Sequence, residues 1–158
     1  MKPDADLKLR SYEPRDLDAI VALDAACFDP PFRFSHTVMH RFAEAENAWT
    51  LIAETTDGIA GFCIVHLEQV QGSSVGYLVT IDVAERFRQT GLGHQMLAKG
   101  EAWAGISGAD AMFLHVYVKN GAAVRFYERN GYQRVGEQPG FYGPGIDAAM
   151  YWKNLQVR

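Results

Sequence analysis

The stretch Val79-Thr80-Ile81-Asp82-Val83-Ala84-Glu85-Arg86-Phe87-Arg88-Gln89-Thr90-Gly91-Leu92-Gly93-His94 constrains the fold more than any other part of this chain. An apolar, β-branched run of strand length, residues 75–83, passes through a glycine turn into a segment where Leu92, Met96, Leu97 and Trp103 recur at helical spacing. The first-turn amides of such a helix have no intrahelical acceptors, and the aligned peptide dipoles place partial positive charge beside them. The turn is therefore either an anion site suited to a pyrophosphate, where glycines let a ligand approach the backbone closely, or a tight connection between strand and helix. Its neighbours exclude two common ligand classes. A Walker turn needs Gly-Lys-Ser/Thr, which is absent, and Gln95 or Met96 stands where a dinucleotide turn has its third glycine.

The rest of the chain reads as alternating strands and helices. Leu7 and Leu9 alternate with Lys8 and Arg10 in a short strand pattern. Pro14 and Asp16 then open a helix running to about Phe28, with Leu17, Ile20, Val21 and Cys27-Phe28 on its apolar stripe. Pro30-Pro31 stops it, and Ser35 is an N-cap for a second helix reaching about Glu46. Residues 49–54 and 59–67 flank the turn Thr56-Asp57-Gly58, which predicts a hairpin, and Gln71-Gly72-Ser73-Ser74 reads as a polar loop. Beyond the glycine helix, which ends near Gly105, residues 111–118 read as a strand and 120–130 as a helix closed by Gly131. Residues 148–152 form a last strand, preceded by turns at Pro139-Gly140 and Pro144-Gly145. The predicted order is β α α β β β α β α β, an α/β layer around a mixed sheet.

With 158 residues, 48% hydrophobic and 22% charged, and with no repeat or linker, the chain is expected to form one compact domain over 1–158. A net charge of −4 gives no general attraction to nucleic acid or anionic lipid, so an anionic ligand must be held by local geometry. Cys27 and Cys63 are the only cysteines and lack CxxC spacing, which predicts reduced thiols and a cytoplasmic setting. Met1 to Asp6 lacks the apolar core of a signal peptide and no apolar run is long enough to cross a bilayer, so no membrane association is expected.

Arg88-Gln89-Thr90-Gly91-Leu92-Gly93 resembles the cofactor loop of the GNAT acetyltransferases, Gln/Arg-x-x-Gly-x-Gly/Ala after a strand. The resemblance continues through Leu114 to Asn120 and through Ala122-Ala123-Val124-Arg125-Phe126-Tyr127-Glu128-Arg129-Asn130-Gly131-Tyr132, similar to that family's Asn-x-x-Ala-x-x-Phe/Leu-Tyr-x-x-x-Gly-Phe signature. Within the superfamily the second half is most similar to RimI-type protein N-terminal acetyltransferases, as is the aromatic, glycine-aspartate-alanine tail Phe141 to Ala148. The first half matches in element order alone. The resemblance implies the GNAT fold, a mixed central sheet with helices on both faces, and acetyl-CoA as cosubstrate without a metal. It also implies that Ile81, Asp82 and Val83 offer strand backbone to the acetyl and pantetheine portions. Gln89, Thr90, Gly91, Leu92, Gly93 and His94 would cradle pyrophosphate, Asn120 would contact the cofactor, and Tyr127 would be the general acid.

Acetyl transfer from a thioester to an amine needs a neutral amine, a stabilised oxyanion and a proton for the departing thiolate. A phenol with a pKa near 10 suits the last task, so Tyr127 reads as the acid or as a helix aromatic packed on the sheet. RimI-type enzymes carry a glutamate base on the strand before the second motif, and here His115 stands at that position. Leu114, Val116 and Val118 share one strand face, so His115 and Tyr117 emerge on the other. His115 is either the base or a partly buried, hydrogen-bonded histidine; Asp82, Glu68 or His66 acting through water are the other candidates. Asn120 can cap the helix beside it as well as contact a cofactor, and Arg88 is either a cofactor residue or a solvated loop charge. His36 and His40 lie one helical turn apart but lack a third ligand. Phe28, Phe32 and Tyr142, with Phe34 and Phe141, line an acceptor pocket or pack a core, while Cys27 and Cys63 read as core residues.

These residues predict N-acetylation of a primary amine, preferentially a protein or peptide N-terminus, in a ternary complex by a monomer or homodimer. Two alternatives remain open: a small-amine acetyltransferase, with Glu44 and Glu46 as carboxylates for a polycation, and a noncatalytic CoA-binding module.

Overall fold

The computed structural model describes residues 6–155, so Met1 to Ala5 of the charged start lie outside the described residues. Its strands are β1 (Lys8–Ser11), β2 (Ala48–Thr55), β3 (Gly58–Val70), β4 (Ser73–Val83), β5 (Ala111–Tyr117), β6 (Gln133–Gly143) and β7 (Ile146–Asn154). Its helices are α1 (Leu17–Cys27), α2 (His36–Ala43), α3 (Leu92–Ile106) and α4 (Gly121–Arg129), with short 3-10 turns at Pro14–Asp16 and Glu85–Phe87. One seven-stranded sheet runs in the order β1-β2-β3-β4-β5-β7-β6. Every neighbouring pair is antiparallel except β4 with β5.

Period-two patterning puts helices on both faces. Leu51, Ala53, Cys63 and Val65 pack with Leu92, Met96 and Leu97 of α3 and Tyr127 of α4, whereas the alternating residues Ile52, Phe62 and Ile64 pack with Leu17 and Ile20 of α1 and Met39 of α2. Local chemistry fixes the helix starts: Ser35 accepts from the Val38 amide and Asn120 from the Ala123 amide.

Arg10 ties the first segment to the sheet. Its guanidinium donates to both Asp16 oxygens at 2.8 Å and through Nε to Glu54 at 2.7 Å, and those bonds hold both carboxyls below their ordinary pKa. Replacing Arg10 with Met leaves the buried Asp16 without its cation and is expected to lower the unfolding free energy by about 2 kcal/mol, as for a lost charged hydrogen bond. Because the carboxyl pKa values are depressed in the native state, this contribution exists above the unfolded carboxylate range and is lost as pH falls through the native values. Urea midpoints of both proteins should therefore differ at pH 7 and converge in acid.

Three elements depart from the sequence reading. The predicted loop 71–74 is a tight turn: Gln71 (φ 50°) and Gly72 (φ 84°) both adopt left-handed backbone, the geometry that joins two twisted strands with two residues. The second helix ends at Ala43 rather than Glu46. The tail holds two strands rather than one, because β6 runs through Pro139. As the outermost strand, β6 has a free edge where a residue lacking an N–H is tolerated, and its register with β7 shifts twice.

Candidate active site

β4 and β5 are paired only from Val75 to Tyr77 against Ala111 to Phe113. Just beyond, Val79 is an extra residue on β4, since Ile64 lies opposite Thr80 and Val65 opposite Leu78. A bulge bends its strand, and here the bend directs β4 away from β5. The two strand ends diverge, leaving residues 78–83 and 114–117 with no strand between them. A cleft of about 1260 Å³ occupies this gap and opens to both faces of the sheet, lined by Ile81 and Val83, by Val116, and by residues of α1, α4 and the β6–β7 hairpin.

The glycine turn closes one end of the cleft. Gly91 is the N-cap of α3 at φ 91°, no side chain caps that helix, and the first intrahelical bond runs from the Gln95 amide to the Gly91 carbonyl. The Leu92, Gly93 and His94 amides thus precede the hydrogen-bonded turns. A methyl group at Gly91 meets open space, so glycine is needed there for its left-handed φ and not to avoid a clash within the chain. Gly93 is different: a β-carbon there sits 3.3 Å from the Phe126 ring, so this glycine lets α3 lie close to α4. Thr90 and Leu92, expected at the cofactor, do not line the cleft. The Thr90 hydroxyl donates to the Phe87 carbonyl and the Leu92 side chain is buried in the core, leaving their backbone alone for a ligand. Arg88 turns inward, donating to the Val83 carbonyl at 3.0 Å and reaching Cys27 Sγ at 3.5 Å, so it braces the turn. His94 Nδ1 pairs with Asn130 Oδ1 at 2.6 Å.

Tyr127 projects from α4 into the gap from the α3/α4 side. It is buried beside Phe126 and Tyr132, burial pushes its phenol pKa far above the ordinary value, and its hydroxyl has no hydrogen-bond partner among the described residues. Asn120 uses its Oδ1 as the α4 cap, which leaves its Nδ2 hydrogens facing the cleft.

His115 lies on the opposite face. Its Nδ1 accepts from the Tyr77 hydroxyl at 2.7 Å, its Nε2 is 3.0 Å from Gln138 Oε1, and its ring stacks on Phe141 at 3.9 Å. An amide oxygen can only accept, so Nε2 carries the proton and Nδ1 the lone pair, and all three partners suit one neutral tautomer. Desolvation lowers the His115 pKa, opposed by the Gln138 hydrogen bond. Tyr77 lines the cleft. Around this pair Phe32 packs on Tyr117 at 4.8 Å and on Tyr142 at 5.0 Å, and Phe28 lines the same wall. Burial pushes the Tyr142 phenol up to about 12.

A sequence model of the Acetyltransferase (GNAT) family matches residues 17–132. The chain belongs to the GNAT acetyltransferase family. Among relatives of this GNAT chain, a mycothiol acetyltransferase of Thermobispora bispora is 33% identical over 143 residues, covering 81% of this chain but only 47% of that protein, so the chain spans about half its length. An N-alpha-acetyltransferase of Sulfurisphaera tokodaii is 24% identical over 158 residues, covering 94% and 93%. Among solved structures, the ribosomal-protein-S18-alanine N-acetyltransferase of Escherichia coli superposes with a TM-score of 0.81 at 20% identity, covering 96% of each chain, a likeness of fold.

In this GNAT chain the sequence reading missed Tyr77, Gln138 and Asp24. Tyr77 lies 38 residues from His115, and only the parallel β4–β5 register brings the two together. Asp24 carried a legible signal: with Leu17 and Ile20 it lies on the buried stripe of α1, where an acid is out of place. His66 and Glu68 both line the cleft, His66 pairing through Nε2 with the Phe42 carbonyl and Glu68 sitting 3.5 Å from Asn47 Nδ2. His36 and His40 each pair with a carboxylate, Asp18 and Glu44. Among the described residues no helix is long and apolar enough to cross a membrane.

Proposed function

We propose that this chain transfers the acetyl group of acetyl-CoA to a primary amine, the amino terminus of a protein or peptide, by direct attack with both substrates bound. The observation that carries this reading is the placement of Tyr127 on one side of the β4–β5 gap and the Tyr77–His115 pair on the other. A thioester held between the strands has a proton donor on the cofactor side and a proton acceptor on the acceptor side.

The residues suit acetyl-CoA. The α3 amides after Gly91 take pyrophosphate, and Asn120 Nδ2 is free for a carbonyl. The unpaired edge of β4 at Ile81 and Val83 takes the pantetheine amides as a neighbouring strand would. The cosubstrate supplies an activated acyl group. Tyr77 takes the ammonium proton while passing its own to His115 Nδ1, the amine nitrogen bonds to the carbonyl carbon, the C–S bond breaks, Tyr127 protonates the leaving sulfur, and the second proton shed by the acylated nitrogen restores Tyr127 through solvent. Phe28, Phe32 and Tyr142 line the path of the acceptor. The likeness to N-alpha-acetyltransferases supports a peptide acceptor, and the likeness to a mycothiol acetyltransferase supports a small-molecule one. A polycation is disfavoured: Glu44 accepts from Tyr12, and neither Glu44 nor Glu46 lines the cleft.

CoA release measured against N-terminal peptides, polyamines and amino acids is expected to be fastest with a peptide. Faster turnover of a free amino acid or polyamine transfers the assignment to small amines, and no turnover with any acceptor leaves only a CoA-binding module. Acetyl-CoA and CoA, but not ATP or NAD, should raise the melting temperature, by about 2.7 kcal/mol of added stability at a hundredfold excess over Kd. Gly91→Val should abolish the shift, since a β-branched residue resists φ 91°.

A further inference from the structure

Asp24 of α1 is fully buried and Asp82 of β4 is 1% exposed. One oxygen of each is accounted for: Asp24 Oδ2 accepts from the Phe34 amide at 2.7 Å, and Asp82 Oδ1 accepts from the Thr80 hydroxyl at 2.6 Å. The other two, Asp24 Oδ1 and Asp82 Oδ2, are the buried side-chain polar atoms without a partner among the described residues. The two carboxyls are within hydrogen-bonding reach of each other. As carboxylates, neither has a hydrogen to offer, and two such charges cannot both persist in a dry site. A single proton between them satisfies both orphaned oxygens at once.

We propose that Asp24 and Asp82 share one proton and act as a positioning pair, fixing the acceptor-side loop 28–35 to the strand that presents the thioester. The link is continuous: the loop hangs from Asp24 through the Phe34 amide, the shared proton joins Asp24 to Asp82, and Asp82 is part of the β4 edge facing the cleft. Phe28 and Phe32, the acceptor wall of the proposed function, sit on this loop, so the inference rests on that reading.

The surroundings favour the shared proton. Burial, then the Asp24 carboxyl, push the Asp82 pKa well above the carboxylate range, while the Thr80 hydrogen bond and the Arg88 guanidinium pull it down. Cys27 of α1, Cys63 of β3 and Tyr127 of α4 are the other titratable groups that sense Asp82, and each is proton-bound through neutral pH because burial raises it. Since the native state holds the Asp82 proton more tightly than the unfolded chain, stability falls as pH rises from the ordinary carboxylate range through the native value. Loss of the proton sets two buried charges against each other and releases the loop.

The test is the pH dependence of the acceptor KM with CoA affinity measured alongside. In the wild type the acceptor KM is expected to rise, above the ordinary carboxylate range, by at most about tenfold per pH unit, the limit for one required proton, at a pH independent of the acceptor's amine pKa, with CoA affinity unchanged. Asp24→Asn puts an N–H where the proton lay, its remaining oxygen accepting from Phe34, so the low-pH acceptor KM should be retained and the rise with pH abolished. Asp24→Ala should raise the acceptor KM at every pH. An Asn variant that keeps the wild-type rise, or an Ala variant with wild-type KM, overturns the proposal. If no acceptor is turned over, carboxyl ¹³C titration decides separately from the functional reading. One aspartate carboxyl titrating well above the ordinary carboxylate range, a titration absent in Asp24→Asn, supports the pair, and two carboxyls that both titrate within the ordinary range in the wild type refute it.

Discussion

Replacing Tyr127 with Phe is expected to slow turnover by about 10²- to 10⁴-fold, the usual contribution of a positioned general acid, while the protein folds as well as before. Both halves follow from the placement of the hydroxyl. It faces the cleft without a partner among the described residues, so removing it orphans no other group, and the ring keeps its packing on Phe126 and Tyr132. Burial holds the phenol proton-bound far above neutral pH, so the donor form is always populated. The same dry surroundings raise the basicity of a thiolate leaving beside it, which keeps proton transfer from this weak acid accessible. Single-turnover rates with saturating acetyl-CoA and acceptor isolate the chemical step, and thermal melts report the fold. A chemical step of wild-type rate removes Tyr127 from the mechanism. A lowered melting temperature with an equal loss of CoA affinity assigns it to packing instead.

The legible parts of this chain were those whose residues interact locally or alternate against a core. The faces of β2 and β3 follow from alternation, Leu51 and Ala53 against Ile52, and Cys63 and Val65 against Phe62 and Ile64. The turn into α3 is marked by Gly91, and the Asn120 cap is set within one helical turn. Strand β6 left no such mark: it is mostly exposed, its Val135 points to solvent, and Pro139 reads as a breaker unless the strand is known to be an edge. That omission had a chemical consequence, because Gln138 and Phe141 of β6 set the tautomer and the stacking of His115. The partners of the catalytic candidates are long-range. Tyr77 meets His115, and Asp24 meets Asp82, only once sheet order and helix docking are fixed. No local pattern encodes either pair, although a carboxylate on the buried stripe Leu17-Ile20-Asp24 and another, Asp82, in the apolar run of β4 announce a polar contact of some kind.

His115→Ala and Tyr77→Phe are each expected to reduce kcat/KM by about 10²- to 10⁴-fold, and the double variant to be no worse than the slower single one. Non-additivity follows from the relay. The Nδ1 lone pair is engaged by the Tyr77 hydroxyl at 2.7 Å, so an ammonium proton reaches the imidazole only through that oxygen, and removing either member removes the path. The pH profile identifies the proton acceptor. Neutral imidazole is required, and desolvation lowers the His115 pKa below its ordinary value, so the acid limb should rise and level off below the range of a free histidine. Acceptors of different amine pKa separate this limb from ionisation of the substrate: a limb fixed across acceptors belongs to His115, and one that moves with them belongs to the amine. His115→Ala should abolish the fixed limb, and Tyr77→Phe should leave any residual rate without it. His115→Glu, which restores the glutamate of RimI-type enzymes at this position, should recover part of the rate with its limb at lower pH. Wild-type rate and limb in His115→Ala would show that the histidine only supports Tyr77 and Phe141, returning the proton to Glu68 or a water held beside it.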